Sequence, residues 1–376
     1  MHLIMNYNLL KMKNFIFTLT AVCVMASLAS CQKSDFFRHP GGEGDADCEL
    51  MVCIGDGFTK VVGQTSAAEN KINDVQIFVF NTSTGKLDAA AHSGGLSSDG
   101  GYTMAEKLNC TRGARQVWAI VNSKVNYVDG ADINRVKTID ELQLKTSALT
   151  DNEPSSFIMA GKKDVTLKAD SETVSVDVRR VCAAICLKSI KNDMIVPAYQ
   201  TAGAVKITGV YLLNVPNKQN FTIPASDQTA VGSISSTTLL SKDEWISPTE
   251  KTSAPKELLL TSDVYAAADQ ALEYKAEFSK HSVLYSYPND ATALPADTWA
   301  PSVTAMVVEA IVGGQPCIYP VQLGRLHSNY KYEVSLVIKH VGGDPDNPWK
   351  KIEFTDLDAI VKVVDWTTGA NVSEVI

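Results

Sequence analysis

The chain has 376 residues, 45% of them hydrophobic, and a net charge of −8 at neutral pH. That apolar content supports packed cores, and the length beyond Ser30 suffices for two domains of ordinary size. The sequence carries neither a basic patch nor a basic–aromatic stripe, which argues against a nucleic-acid partner.

At the N-terminus, Lys11 and Lys13 precede an apolar run from Phe15 to Ala26, and Leu28-Ala29-Ser30-Cys31 closes it with small residues before a cysteine. A positive start, a short apolar stretch and a small-residue cut site mark a secretory signal. The run is shorter than the roughly twenty residues that span a bilayer. These residues resemble a bacterial lipobox. Residues 1–30 are therefore expected to be removed, leaving Cys31 as the first mature residue with a diacylated thiol. Each buried lipid methylene contributes roughly 0.8 kcal/mol, so two or three acyl chains hold a protein on a membrane, and no later segment is long and apolar enough to span one. Residues 31–46 are polar and include Pro40-Gly41-Gly42, as a flexible tether does.

Beyond the tether the hydrophobic period is two. Leu50, Val52 and Ile54 alternate with Glu49, Met51 and Cys53. Val75, Ile77 and Val79 share a strand face that ends at the turn Asn81-Thr82-Ser83-Thr84-Gly85, and Val117 to Val121 is another apolar run. Val174, Val176 and Val178 alternate with Ser175 and Asp177, and Val181, Ala183, Ile185 and Leu187 continue the rhythm. Short alternating runs between turn residues predict antiparallel sheets with one wet face. One short helix is predicted where Thr138 and Glu141 form a capping box ahead of Ile139, Leu142 and Leu144. Lys191 to Thr201 lacks periodicity and places a domain boundary near 193/194. Strands resume at Val205–Leu213, Thr304–Val312, Ile318–Leu323, Tyr332–Ile338 and Leu357–Val364. Thr222 to Lys256 reads as loop and short elements. The fold class is mainly all-β with a few short helices.

Catalytic and metal signatures are missing. None of the six histidines sits in HExxH or at metal spacing from a second ligand, and no Cys/His spacing fits zinc. The sequence has no Walker motif, no GxGxxG after a strand and no GxSxG elbow. Neither enzyme activity nor a cofactor or metal is expected. Gly342 to Pro348 offers oxygen atoms but lacks the acid spacing of a calcium loop, and it reads as a tight turn. Arg179-Arg180, on an alternating strand, reads as one outward and one edge-facing side chain. Export permits disulfides. Cys53, Cys182 and Cys186 lie in apolar runs, where cysteine usually acts as a small hydrophobe, which leaves Cys48 and Cys110 as the better candidates for a bridge.

Several stretches together resemble the fimbrillins, the subunits of type V pili. They are the lipobox with its tether; Lys71-Ile72-Asn73-Asp74-Val75-Gln76-Ile77-Phe78-Val79-Phe80-Asn81 with its turn at Gly85 to Leu87; Val117-Trp118-Ala119-Ile120-Val121-Asn122; Val178-Arg179-Arg180-Val181-Cys182-Ala183-Ala184-Ile185; and Asn329-Tyr330-Lys331-Tyr332 followed by Gly342-Gly343-Asp344-Pro345 and Val361 to Trp366. The resemblance implies two tandem transthyretin-like β-sandwich domains, 47–193 and 194–376, the second ending in a donor-strand tail. It also implies a lipidated precursor at the outer membrane and cell surface. A protease cuts after the first strand, and the emptied groove accepts a strand from another subunit in a homo- or hetero-polymeric fimbria that supports adhesion.

On that scheme Leu50, Val52 and Ile54 belong to the removable strand, the cut falls between Lys60 and Val61, and Val372, Val375 and Ile376 dock in a neighbour. The family commonly carries arginine at the cut. Here the matching residue is Lys60, and Arg38, the nearest arginine, precedes the strand. An anchor or accessory subunit that escapes the usual processing therefore stays open as an alternative. So does a surface glycan-binding lipoprotein, for which Trp245, Trp299, Trp349 and Trp366 would be platform candidates.

Overall fold

The computed structural model describes residues 47–55, 67–213, 215–216, 218–221, 270–278, 282–289, 304–346 and 357–365. The expected signal, Cys31, the tether with Arg38, the cut at Lys60 and Val61, the four tryptophans named above, and the tail with Val372, Val375 and Ile376 lie outside the described residues.

The described strands run in chain order as β1 (Asp47–Gly55), β2 (Lys71–Asn81), β3 (Leu87–Asp99), β4 (Tyr102–Thr103), β5 (Leu108–Thr111) and β6 (Gly113–Val121). The helix α1 (Ile139–Leu144) leads to β7 (Thr146–Ala148), β8 (Met159–Leu167), β9 (Ser171–Asp177), β10 (Arg179–Arg180) and β11 (Ala183–Asn192). There follow β12 (Val205–Leu213), β13 (Lys218–Asn220), β14 (Gln270–Leu272), β15 (Glu277–Phe278), β16 (Ser282–Ser286), β17 (Ala305–Val312), β18 (Gln315–Gln322), β19 (Tyr330–Ile338) and β20 (Leu357–Asp365). The protein is mainly all-β.

Two sheets enclose the first core. One has the order β10-β8-β6-β2-β3, and the other places β1 between β9 and the short pair β4 and β5. Between them pack Leu50, Val52 and Ile54 of β1, Val75, Ile77 and Val79 of β2, and Val117, Ala119 and Val121 of β6. The expected wet face is absent from β2, which is buried from Val75 to Phe80. Its other face, with Phe78 and Phe80, packs beside Trp118, Tyr127 and Leu142 in a second core. Gln76 sits on that buried face because the loop after β6 satisfies it: its amide donates to Val125 O at 2.9 Å and accepts from Tyr127 N at 2.7 Å.

Local chemistry explains the strand ends. Asn81 Oδ1 accepts from Ser83 N at 2.9 Å, and Gly85 takes φ 67° to turn the chain into β3. Asn122 ends β6 in a left-handed conformation, φ 59°. Its side chain accepts from Asn73 N at 2.8 Å and donates to Lys71 O at 2.7 Å and Phe157 O at 2.9 Å, tying three segments together. At α1, Thr138 Oγ1 accepts from Glu141 N at 3.2 Å, as a capping box requires, while Glu141 reaches Lys137 N at 2.7 Å, one residue before the cap. Leu142 is buried, whereas Leu144 is 70% exposed.

The other sheets among the described residues are β15-β11-β19-β20, with β16 also on β11; β14-β12-β17-β18; and the two-stranded pair β13-β7. Ile185 and Leu187 of β11, Leu212 of β12, Val308 of β17, and Val334 and Leu336 of β19 belong to the same buried cluster as Phe78 and Phe80. Among the described residues pairing is mainly antiparallel, with two parallel exceptions: β1 with β9, and β11 with β19. The strand β11 precedes the boundary expected at 193/194, yet its partners are β15, β16 and β19. It leads the second pair of sheets as β1 leads the first.

Arg179-Arg180 departs from expectation. Arg180 is buried, not edge-facing, and its guanidinium donates to Glu69 O at 3.4 Å, to Asn70 Oδ1 and to Asn329 Oδ1 at 3.5 Å. Glu69 in turn accepts from Tyr285 OH at 3.1 Å. Burial lowers the Arg180 pKa, and the Glu69 carboxylate opposes that shift. This cluster joins segments from both ends of the chain where β10 passes to β11. Gly343, in the expected tight turn, exchanges backbone hydrogen bonds with Ile318 of β18 at 2.8 and 3.0 Å.

Candidate functional site

Period-two geometry puts Cys48, Leu50, Val52 and Ile54 on one face of β1, and all four are buried. Burial of each large aliphatic side chain contributes roughly 1.5–3 kcal/mol, so these side chains are the main apolar hold on the strand. Its backbone is engaged on both edges. Glu49 to Gly55 run parallel to Ser171 to Asp177 of β9. On the other edge Asp47 to Leu50 run antiparallel to Leu108 to Thr111, and Cys53 and Ile54 oppose Thr103 and Tyr102. Past the ladder ends, Glu49 N donates to Asp170 O at 2.7 Å and Met104 N donates to Val52 O at 3.1 Å.

The outward face carries polar fastenings. Lys107 Nζ donates to Glu49 Oε2 at 2.8 Å and to Ser171 Oγ at 3.0 Å, bridging β1 and β9. Arg112 Nε donates to Asp47 O at 3.3 Å, and its guanidinium pairs with Asp170. In the turn from β8 to β9, backbone N–H groups of Lys168 and Ala169 hold the Glu172 carboxyl below the usual carboxylate range. Exposed ion pairs of this kind contribute about 0–1 kcal/mol each, so the apolar row outweighs them.

The strand is thus a central element of its sheet, filling a channel walled by β9 on one side and by β4 and β5 on the other, and floored by β2 and β6. Vacating that channel would expose apolar surface and two rows of unpaired backbone groups, which is the condition of an adhesive sheet edge. Of the residues singled out from sequence, Leu50, Val52 and Ile54 meet in this channel; Lys60, Val61, Arg38, Cys31, Val372, Val375 and Ile376 lie outside the described residues. Sequence reading missed Cys48 as a fourth inward residue, though it is in phase with Leu50. It also missed β4 and β5, which are too short to show a period, and the parallel pairing with β9.

Cys48 stands directly opposite Cys110 of β5, and Cys110 Sγ lies 3.5 Å from Cys48 O. Burial raises the pKa of both thiols, and at Cys110 the neighbouring Cys48 and Asp88 add to the shift. Among the described residues, no group of three or more His, Cys, Asp or Glu side chains is placed to hold a metal, and no helix is long and apolar enough to cross a membrane.

The architecture is shared with bacterial proteins of cell adhesion and fimbriae. A candidate cell adhesion protein from Parabacteroides distasonis ATCC 8503 superposes with a TM-score of 0.61 at 15% identity, over 86% of this chain and 98% of that one. Another, from Bacteroides eggerthii DSM 20697, gives 0.56 at 19% identity, over 87% and 98%. A fimbrilin (fimA) from Porphyromonas gingivalis W83 gives 0.56 at 15% identity, over 86% and 99%. Comparison with curated proteins found no sequence match. Residues 57–210 match the family model of the major fimbrial subunit protein (FimA), from just after β1 into β12. Over residues 57–210, therefore, the chain is similar to the fimbrillin family.

Proposed function

We propose that the chain is a structural subunit of a surface pilus, exported as a lipoprotein through Cys31 and polymerised by strand exchange. The observation that carries this reading is the placement of β1. It is sealed in a channel of its own sheet, bonded on both edges, and tethered to the rest of the fold at one end by residues 56–66. A cut after Lys60 would leave it held only by non-covalent contacts. A strand from a second subunit would restore both the backbone ladder and the buried row, with alternating side chains fixing the register. Because such a contact runs head to tail and does not close, it grows a filament. The tail from Gly369, with Val372, Val375 and Ile376, is our choice of donor. The partners are then other subunits of the pilus, a maturation protease, and the outer membrane through the lipid of the precursor. We place the domain boundary between β10 and β11, because β11 pairs with the later strands.

A lysine where the family commonly carries arginine favours a second role, an anchor or accessory subunit left uncut. Immunogold labelling with an antibody to this chain separates the two. Label along the filament supports the polymerised subunit, and label confined to the filament base supports the anchor. Filaments devoid of label, with the protein present at the surface, would overturn both.

A further inference from the structure

Cys48 and Cys110 are aligned residues on neighbouring antiparallel strands, and both face the same core. Such residues have Cα atoms roughly 4.5 or 5.5 Å apart, and both spacings fall inside the range of about 4.4–6.8 Å taken by disulfides. The other strand cysteines have no such neighbour. Cys53 is opposite Thr103 and Ser175, Cys186 is opposite Val283 and Glu333, and Cys317 is opposite Ala310. One member of the pair sits on β1 and the other on its channel wall, on opposite sides of the connection at residues 56–66.

We propose that Cys48 and Cys110 form a disulfide that fastens β1 in its channel, so that a cut after β1 does not release the strand until the bond is reduced. This rests on the reading that the chain is exported and that β1 is exchanged. The bond forms by exchange with the disulfide of an oxidant such as oxidised glutathione or a dithiol oxidase. Two thiol protons and two electrons leave the cysteines, the Sγ–Sγ bond forms, and the oxidant's disulfide becomes two thiols. Only a thiolate attacks. Burial disfavours the thiolate at both sites, so the bond is made as the chain folds and resists exchange once the core closes. Reduction therefore gates strand release, and an oxidised subunit keeps its own first strand and stays out of the polymer as an acceptor.

The first test is a peptide map of the full-length protein, refolded with oxidised and reduced glutathione, then denatured, alkylated and digested with trypsin without reductant. A disulfide-linked species joining His39–Lys60 to Leu108–Arg112 is expected. It should vanish on reduction and in Cys48→Ser, and persist in Cys53→Ser. Finding both peptides only in alkylated form would overturn the proposal. The second test cuts the native protein at Lys60 and adds a labelled peptide of residues 47–55. Exchange should be at least tenfold faster in reduced wild type and in Cys48→Ser than in oxidised wild type. Equal exchange rates with the linked peptide present would overturn the latch. Failure of reduced wild type and Cys48→Ser to exchange at all would instead sink the strand-exchange reading, while the linked peptide would still establish the bond.

Discussion

Replacing Leu50 by alanine should loosen β1 far more than removing any polar contact on its outer face. Leu50 is fully buried in the middle of the inward row, opposite Leu108 and beside Glu172 of β9 in the ladder. Truncating a buried leucine costs about 2–5 kcal/mol, the lost transfer energy plus the cavity left behind. At about 1.4 kcal/mol per factor of ten, the channel's hold on a cut strand should fall by roughly thirty- to several-thousand-fold. Glu49→Ala removes the contact to Lys107, an exposed pair in the class worth about 0–1 kcal/mol. To measure this, the reduced protein is cut at Lys60 with the N-terminal fragment fluorescently labelled, and label leaving the folded remainder is followed by size-exclusion chromatography. Leu50→Ala should release its fragment within the range above, and Glu49→Ala within about fivefold of wild type. If the two variants released at the same rate, the apolar row would not be what holds β1.

Gly161→Ala should destabilise the protein by about 1–3 kcal/mol, because a Cβ there would lie 1.9 Å from Asp177 O in rigid backbone; an unchanged urea midpoint would show that the two segments can part freely. The Glu333 carboxyl is raised by burial but more strongly lowered by Lys188, 2.9 Å away, with Lys331 and Lys362, so its folded pKa lies below the ordinary value. Its contribution is therefore complete above the ordinary carboxylate pKa of about 4.3 and is lost as pH falls through the lowered value. Lys188→Met should accordingly flatten the acid limb of stability against pH, and an unaltered limb would count against the pairing. Deleting Thr368 to Ile376 should leave a folded protomer but weaken each subunit contact by several kcal/mol, since two or three large aliphatic side chains at roughly 1.5–3 kcal/mol each are lost. Electron microscopy of the cut protein checks this, and filaments formed equally well by the truncated chain would exclude the tail as donor.

The sheets were legible in the sequence wherever one face alone is buried, as along Leu50 to Ile54 and Val174 to Val178. Turn chemistry also declared itself, at Asn81 to Gly85. The rest was hidden for physical reasons. A strand buried on both faces, such as β2, loses its alternation, so its second core is silent in the pattern. Parallel and antiparallel partners impose the same period, so nothing in β1 announces β9. The passage from the first pair of sheets to the second falls where the row Val174, Val176, Val178 gives way to Val181, Ala183, Ile185, Leu187, a slip of one residue in phase that no glycine or proline marks. Arg180 illustrates the converse: a charged residue in that rhythm reads as exposed, because the acceptors at Glu69, Asn70 and Asn329 come from distant segments. The channel was found through Leu50, Val52 and Ile54, but its walls at β4 and β5 are two- and four-residue strands, too brief to show a period.

The most direct test of strand exchange is the N-terminal residue of this chain recovered from assembled surface filaments, read by terminal sequencing or intact mass. Under strand exchange, subunits that begin at Val61, with β1 and the lipid both gone, are expected. Filament-borne subunits that begin at an acylated Cys31 and retain β1 along the whole filament would contradict it.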